Sequence, residues 1–272
     1  MNLMKRIFNI VLASCIATVV CDISLTASYA GARATDIAGS SAMHHVHLTG
    51  FGADNSHKRE LLLQTYRACV GMNQSLQKPT KLLAPDAVPP VIQAFDINIY
   101  YASNRTLIDV KSTSYGIDSD DCGLYSWKNH NATLNSGIGS CDMDLVKKTA
   151  KGRCDANAHE TASARYGFED GEMKREPAKT TLESSLTKNI ARTDCQVSQL
   201  KILGIEKCIA HPQSAFPIPA SPYNFERAGL LLETTGPIMT IKADQVELNL
   251  ALDTKLFSIP KDLAVRSLGV KP

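Results

Sequence analysis

What the chain lacks narrows its chemistry. No Gly-x-Ser-x-Gly elbow occurs, so a serine hydrolase is without its most readable sign. No Gly-x-Gly-x-x-Gly run and no P-loop occur, so nucleotide binding has no motif to support it. No Cys-x-x-Cys pair occurs, which removes a thioredoxin-like redox role and the commonest zinc spacing. Lys and Arg number 29 against 27 Asp and Glu, and no basic block stands out, so nucleic-acid binding has no electrostatic support. Aromatic residues are 6% of the chain, with a single tryptophan, Trp127. After residue 21 no apolar run approaches the roughly 20 residues of a transmembrane helix.

What is present starts at the N-terminus. Lys5 and Arg6 precede an apolar run, Ile7 to Cys21, and Ala27-Ser28-Tyr29-Ala30 places small side chains where a signal peptidase needs them. This pattern predicts a secretory signal peptide over residues 1–30 and export to the periplasm or the medium. The rival is a lipobox, Leu12-Ala13-Ser14-Cys15, which would lipidate Cys15; Ile16 to Val20 continue the apolar run, against it. Removing residues 1–30 takes away Lys5, Arg6 and Asp22 and leaves a charge near zero.

Six cysteines remain beyond that point: Cys69, Cys122, Cys141, Cys154, Cys195 and Cys208. An even count in an exported chain reads as disulfides. Cys195 and Cys208 flank two short apolar stretches around Gly204, which a hairpin would bring together. Cys141 and Cys154 repeat the same spacing, leaving Cys69 with Cys122. Cys122–Cys141 with Cys69–Cys154 is an equally physical alternative for those four.

Residues 31–57 are rich in Gly, Ala and Ser and read as a flexible arm before a single β-rich domain, 58–272. In Arg59 to Leu76, the residues Leu62, Tyr66, Cys69, Met72 and Leu76 recur at helical spacing. Prolines 79, 85, 89 and 90 make a connector. Phe95, Ile97, Ile99 and Tyr101 then alternate with Asp96, Asn98 and Tyr100, and Ile108 and Val110 with Asp109 and Lys111; both are half-buried strands. Further short strands fit between Leu124 and Val146. A short helix at Asn157–Arg165 and a loop around Gly167–Pro177 are read in the polar stretch that follows. Leu230 to Thr235 is a strand, and Met239, Ile241 and Ala243 share one face. Val246, Leu248 and Leu250 follow with reversed parity, which predicts a bulge near Asp244-Gln245. The fold class predicted is mainly β (α+β): a curled antiparallel sheet with at least one covering helix.

From Asn189 onward the chain resembles the closing half of LolA-like periplasmic proteins. The residues that carry this are Ile190 to Cys195 opening a hairpin that Cys208-Ile209-Ala210 closes, Gly229-Leu230-Leu231-Leu232-Glu233 starting a strand, and Leu256-Phe257-Ser258-Ile259-Pro260 ending the sheet. The resemblance covers the last third of the chain and implies a half-barrel holding lipid, acyl chains or a partner peptide. Six cysteines are more than such proteins need.

Candidate chemistry is sparse. His44, His45 and His47, with His57 nearby, have spacings that suit a shared metal, but they lie in the predicted arm. Asp118, Asp120 and Asp121 gather carboxylates, yet an EF-hand reading from Asp118 puts Cys122 at a ligand position and Asn129 where the closing glutamate belongs. His159-Glu160 lacks the second histidine of a zincin. His130 and His211 read as loop residues. Pro212 to Pro222 reads as a rigid connector between hairpins.

The functional expectation is a non-catalytic binding protein for an apolar ligand, a lipid or an envelope protein, with no cofactor. The residues expected inside, as cavity or core, are Phe95, Ile97, Ile99, Ile108, Val110, Leu230, Leu232, Val246 and Leu248. Two alternatives differ in class. A disulfide-stabilised hydrolase or metal-dependent enzyme predicts a cleft where His130, His159 or His211 meets carboxylates such as Asp118, Asp120 or Asp121. A structural subunit of an envelope assembly, in which Gly31–Asn55 orders on its partner, predicts a large exposed apolar patch in the isolated protein.

Overall fold

The structure, a computed structural model, describes residues 42–84, 86–162, 181–200, 203–221 and 227–266. The predicted signal peptide, the lipobox cysteine Cys15, residues 31–41 of the predicted arm, residues 163–165 of the predicted short helix and the loop at 167–177 lie outside these.

The arm expectation is corrected from residue 42 onward. Ala42–Gly52 forms strand β1, hydrogen-bonded on both sides and so central to the sheet. The reason is strand alternation: Val46 and Leu48 are fully buried, while His45, His47 and Thr49 point the other way. Gly50 lets β1 approach its neighbour closely. A Cβ there would run into the Thr240 carbonyl oxygen and lie 2.7 Å from Ile241 Cα.

A meander follows the first helix: β2 (Gln93–Ala102), β3 (Arg105–Ile117), β4 (Leu124–Ser136), β5 (Gly139–Asp144) and β6 (Thr149–Gly152). The C-terminal half contributes β7 (Thr181–Ile190), β8 (Thr193–Leu200), β9 (Ile205–Ala210), β12 (Leu230–Thr235) and β13 (Met239–Ala251). β10 (Ala220–Ser221) and β11 (Arg227–Ala228) form a separate pair. With β14 (Ala264–Arg266), the main sheet runs β14-β6-β5-β4-β3-β2-β1-β13-β12-β9-β8-β7. It is curled and unclosed, and antiparallel except where β14 joins β6. β1 therefore joins two meanders made from opposite ends of the chain.

The predicted parity flip is a bulge. His47 pairs with Gln245 and Leu48 with Ala243, so Asp244 is the inserted residue. A second irregularity lies between the Met43 and His45 pairings, where Asn249 adopts φ 56°.

Both sheet faces bury apolar side chains, in different regions. Leu107 and Ile108 are consecutive, buried, and members of different clusters. The largest cluster gathers Val46, Leu48, Ile97, Ile99, Ile108 and Ile241 with Leu230, Leu231 and Leu232. Phe216 and Ile218, from the proline-rich connector, are also buried, and Ile218 joins this cluster. A second cluster packs Met43, Leu107, Leu134 and Met143 with Phe257 and Leu263. Leu256 to Ser258 form successive turns rather than the end of a strand; the last described strand is β14.

Helix α1 (Asn55–Ser75) starts earlier than the spacing predicts. Asn55 holds its start, accepting from the Ile92 N–H and donating to the Pro90 carbonyl. Leu62, Cys69 and Asn73 are its buried residues, whereas Met72 and Leu76 are about half exposed. The predicted stripe is therefore broken at its C-terminal end. Asn73 takes the inner position there because its amide donates to the carbonyls of Pro79 and Asp120. α1 packs through Leu62 onto a third cluster with Val88 and Ile92, against Tyr115, Ile117 and Leu124. The short helix α2 (Ala156–Thr161) is capped by Asp155, which accepts from the Ala158 N–H.

Three disulfides hold these parts. Cys69–Cys122 ties α1 to the β3–β4 loop, Cys141–Cys154 closes β5 on the segment after β6, and Cys195–Cys208 bridges β8 and β9. Of the alternatives left open by the sequence, Cys122–Cys141 with Cys69–Cys154 is not the one adopted. Three disulfides suit an oxidising, extracytoplasmic compartment. Among the described residues no helix is long and apolar enough to cross a membrane.

Candidate functional site

The nine apolar residues singled out in the sequence all belong to the largest cluster. Ile97, Ile99, Ile108, Leu230 and Leu232 are at most 1% exposed and pack as core. Phe95, Val110, Val246 and Leu248 are half buried at its margin. His44 points to the same side. It is fully buried, stacks on Phe216 with ring centroids 4.4 Å apart, and accepts at Nδ1 from the Asn249 N–H. Burial pushes its pKa below the ordinary histidine value. The strand therefore separates His44 from His45 and His47, and His57 lies on α1, so the four do not share a metal.

The opposite face of β1 carries the titratable side chains. His45 Nδ1 donates to Glu247 Oε2 at 2.9 Å, and His47 Nδ1 donates to Asp244 Oδ1 at 2.6 Å. Both carboxylates come from β13. The other ring nitrogens face β2: His45 Nε2 lies 2.9 Å from Asn98 Oδ1, and His47 Nε2 lies 3.5 Å from Asp96 Oδ1. Asn98 Nδ2 donates to Asp96 Oδ1 at 3.4 Å, which fixes the amide with its oxygen toward His45. Tyr100 stacks on His45 at 4.6 Å. Its hydroxyl pKa is raised, first by burial and then by the charges of Asp109, Glu247 and Asp96.

The set continues on the next strands. His130 Nε2 bonds Asp109 Oδ1 at 2.6 Å, and Asp109 is the register partner of Asn98. His130 is thus a strand residue, not the loop residue expected. Three histidines and four carboxylates from β13, β1, β2, β3 and β4 lie on one face, all reached by solvent. A shallow groove of about 440 Å³ borders them, lined by Asp96, Lys111, Thr113, Lys128 and His130 among others.

The other sequence candidates have structural explanations. Asp118, Asp120 and Asp121 shape the β3–β4 loop: Asp118 Oδ1 accepts from the Asp120 N–H, and Asp121 accepts from the Gly123 N–H and pairs with Lys81 at 2.6 Å. Lys81 holds the Asp121 carboxyl below its usual range. No described histidine meets them. His159 is fully buried, accepting from the Ser136 hydroxyl at Nδ1 and donating from Nε2 to the Arg153 carbonyl, which fixes α2 onto the β4–β5 hairpin. His211 is exposed after β9. Of the histidines that the enzyme alternative names, His130 meets a carboxylate, Asp109, and none meets Asp118, Asp120 or Asp121.

Two charged groups were not singled out from the sequence. Lys188 bridges Glu206 and Glu233 across β7, β9 and β12, and these partners raise its pKa. Lys207 is 5% exposed on β9, and burial pushes its pKa down to about 7.

No family model and no curated protein matches the chain. Two solved structures of PNGF-II, in the C2 and P21 space groups, are similar at TM-scores of 0.34 and 0.32. Identity is 11% and 10%, over 84% and 83% of this chain. The chain spans about a third of their length, 31% and 32%. Similarity at that level identifies neither a fold nor an activity.

Proposed function

We propose that the protein is an exported binding protein, periplasmic or secreted, whose working surface is the exposed face around His45, His47 and His130 and whose partner is an envelope protein. One observation carries this reading. Seven titratable side chains from five adjacent strands converge on a solvent-reached face, each histidine held by a carboxylate of a neighbouring strand. Pairwise cross-strand bonds hold the rings in fixed directions, which suits recognition. The disulfides support the compartment.

A second reading has its own observation. Phe95, Val110, Val246 and Leu248 are only partly buried at the margin of the largest cluster, where an apolar ligand or lipid would rest.

Native mass spectrometry of the mature protein isolated from periplasm separates the two. A protein complex that the His45→Gln/His47→Gln variant loses supports the first reading. A lipid adduct that both forms retain supports the second. A bare chain in both preparations overturns both.

A further inference from the structure

β4 is interior to the strand order, yet half of its length is an edge. β3 pairs with it throughout, from Arg105 opposite Ser136 to Ile117 opposite Leu124. β5 is short and pairs with it only from Asn131 to Ser136. Among the described residues, no strand pairs with the outer side of residues 124–129.

The direction of the backbone groups on this edge follows from one bond. The His130 carbonyl accepts from the Leu145 N–H at 2.8 Å, so it points outward, away from β3. The register with β3 has no shift, and alternation then turns the N–H and C=O of Lys128, Ser126 and Leu124 outward as well. The side chains leave the edge clear. Tyr125 and Trp127 have ring centroids 5.5 Å apart, and both lean back over Gly116 of β3. A Cβ on Gly116 would lie 2.9 Å from Tyr125 Cζ and 3.0 Å from Trp127 Cζ3. Tyr125, Ser126, Lys128 and Asn129 are exposed. Such an edge is a template for another strand unless proline, a bulge or charge blocks it. Residues 124–129 hold no proline and no bulge, and Lys128 is their one charge.

We infer that a second copy of this chain pairs through this edge, β4 antiparallel to β4, with Ser126 opposite Ser126 of the partner subunit. The segment is self-complementary in that register. Leu124, Ser126 and Lys128 fall at hydrogen-bonded positions, giving roughly six main-chain bonds across the seam. Tyr125 falls at a close, non-hydrogen-bonded position opposite Trp127 of the partner subunit, and symmetry repeats this aromatic pair on the other side of the axis. Lys128 stands opposite Leu124 of the partner subunit, so like charges do not oppose each other. The ends of the segment fit too. Beyond Lys128 the edge is taken by Leu145, and before Leu124 the chain turns back to α1 through Cys122–Cys69. The two-fold axis runs perpendicular to the sheet, so the faces carrying His130 lie on one side of the dimer. This pairing does not depend on what those faces bind. The seam is short beside the interfaces of stable dimers, so the dimer forms with rising concentration.

Sedimentation equilibrium of the mature protein from about 10 µM to about 1 mM tests this, with a dissociation constant on the order of 100 µM expected. Emission from Trp127, the single tryptophan, is expected to shift over the same range. Ser126→Asp, an exposed change that leaves the β3 ladder intact, sets two carboxylates face to face on the axis and weakens association about tenfold. Ser126→Pro removes an outward N–H and weakens it similarly; circular dichroism checks that both variants are folded. Ser126→Cys, oxidised after purification, joins two copies by a disulfide, because opposed Cα atoms about 5.5 Å apart lie within its reach. Asn129→Cys, exposed on the same strand but off the axis, does not. A chain that stays monomeric across the whole range overturns the inference. So does a dimer that Ser126→Asp and Ser126→Pro leave unchanged and Ser126→Cys fails to cross-link, since its interface lies elsewhere.

Discussion

Asp244, the residue that β13 inserts between two paired neighbours, is the carboxylate that accepts from His47 Nδ1 at 2.6 Å. The bulge does two things at once. It reverses the faces of β13, so that Ala243 and Val246 both meet the core side of β1, and it turns an acid toward the ring. Deletion of Asp244 is expected to force the residues beyond it onto the wrong face and abolish the cooperative thermal transition. Asp244→Asn, which keeps the backbone count, is expected to cost under about 1 kcal/mol, as exposed pairs do. Circular dichroism melts of the two variants check this contrast.

Gly50 is a second point where β1 and β13 depend on backbone. Gly50→Ala is expected to destabilise by about 1–3 kcal/mol, because the added methyl meets the Thr240 carbonyl and Ile241 Cα rather than a flexible side chain. Urea unfolding at constant m-value measures it.

The disulfides differ in the loops they close. Removing Cys195–Cys208, with a separation of 13, is expected to cost about 3 kcal/mol in the chain-entropy model. Removing Cys69–Cys122, with a separation of 53, is expected to cost about 4 kcal/mol. Paired Cys→Ser variants compared by denaturant unfolding give the order; a larger loss from the shorter loop contradicts it.

Lys207 makes stability depend on pH. Its pKa is about 7 when folded against an ordinary 10.5, so between those values the unfolded chain holds a proton that the folded chain does not. Stability is expected to rise as pH increases from about 7 to 10.5 and to be independent of this group below pH 7. Lys207→Met is expected to remove that slope. Thermal melts from pH 6 to 10 of the two proteins read it.

The strands around Phe95, Ile108 and Ile241 were legible because apolar residues alternate over several positions. The bulge was legible as a change of parity. β1 was not, because only Val46 and Leu48 mark its buried side and three of its residues are histidines, which reads as a polar arm. The histidine–carboxylate face was illegible for a different reason: His45 and Glu247 are 202 residues apart, and His47 and Asp244 are 197 apart. Local periodicity places a side chain on a face but does not choose the strand beside it. Asn73 shows the same limit on α1, where a polar residue holds the inner position because two loop carbonyls meet it there.

The central place of β1 also dictates when the molecule can finish forming. Its pairing joins Ala42 to Ala251, nearly the full described chain, so this seam has a very high contact order and closes slowly. The meander β2–β6 can assemble early from local hairpins. The seam cannot close until β13 has been made and delivered. Until then the edges of β2 and β13 stand open to any other strand, and the chain is exposed to aggregation throughout that interval. Chaperone protection until β1 closes the seam is the corresponding cellular requirement.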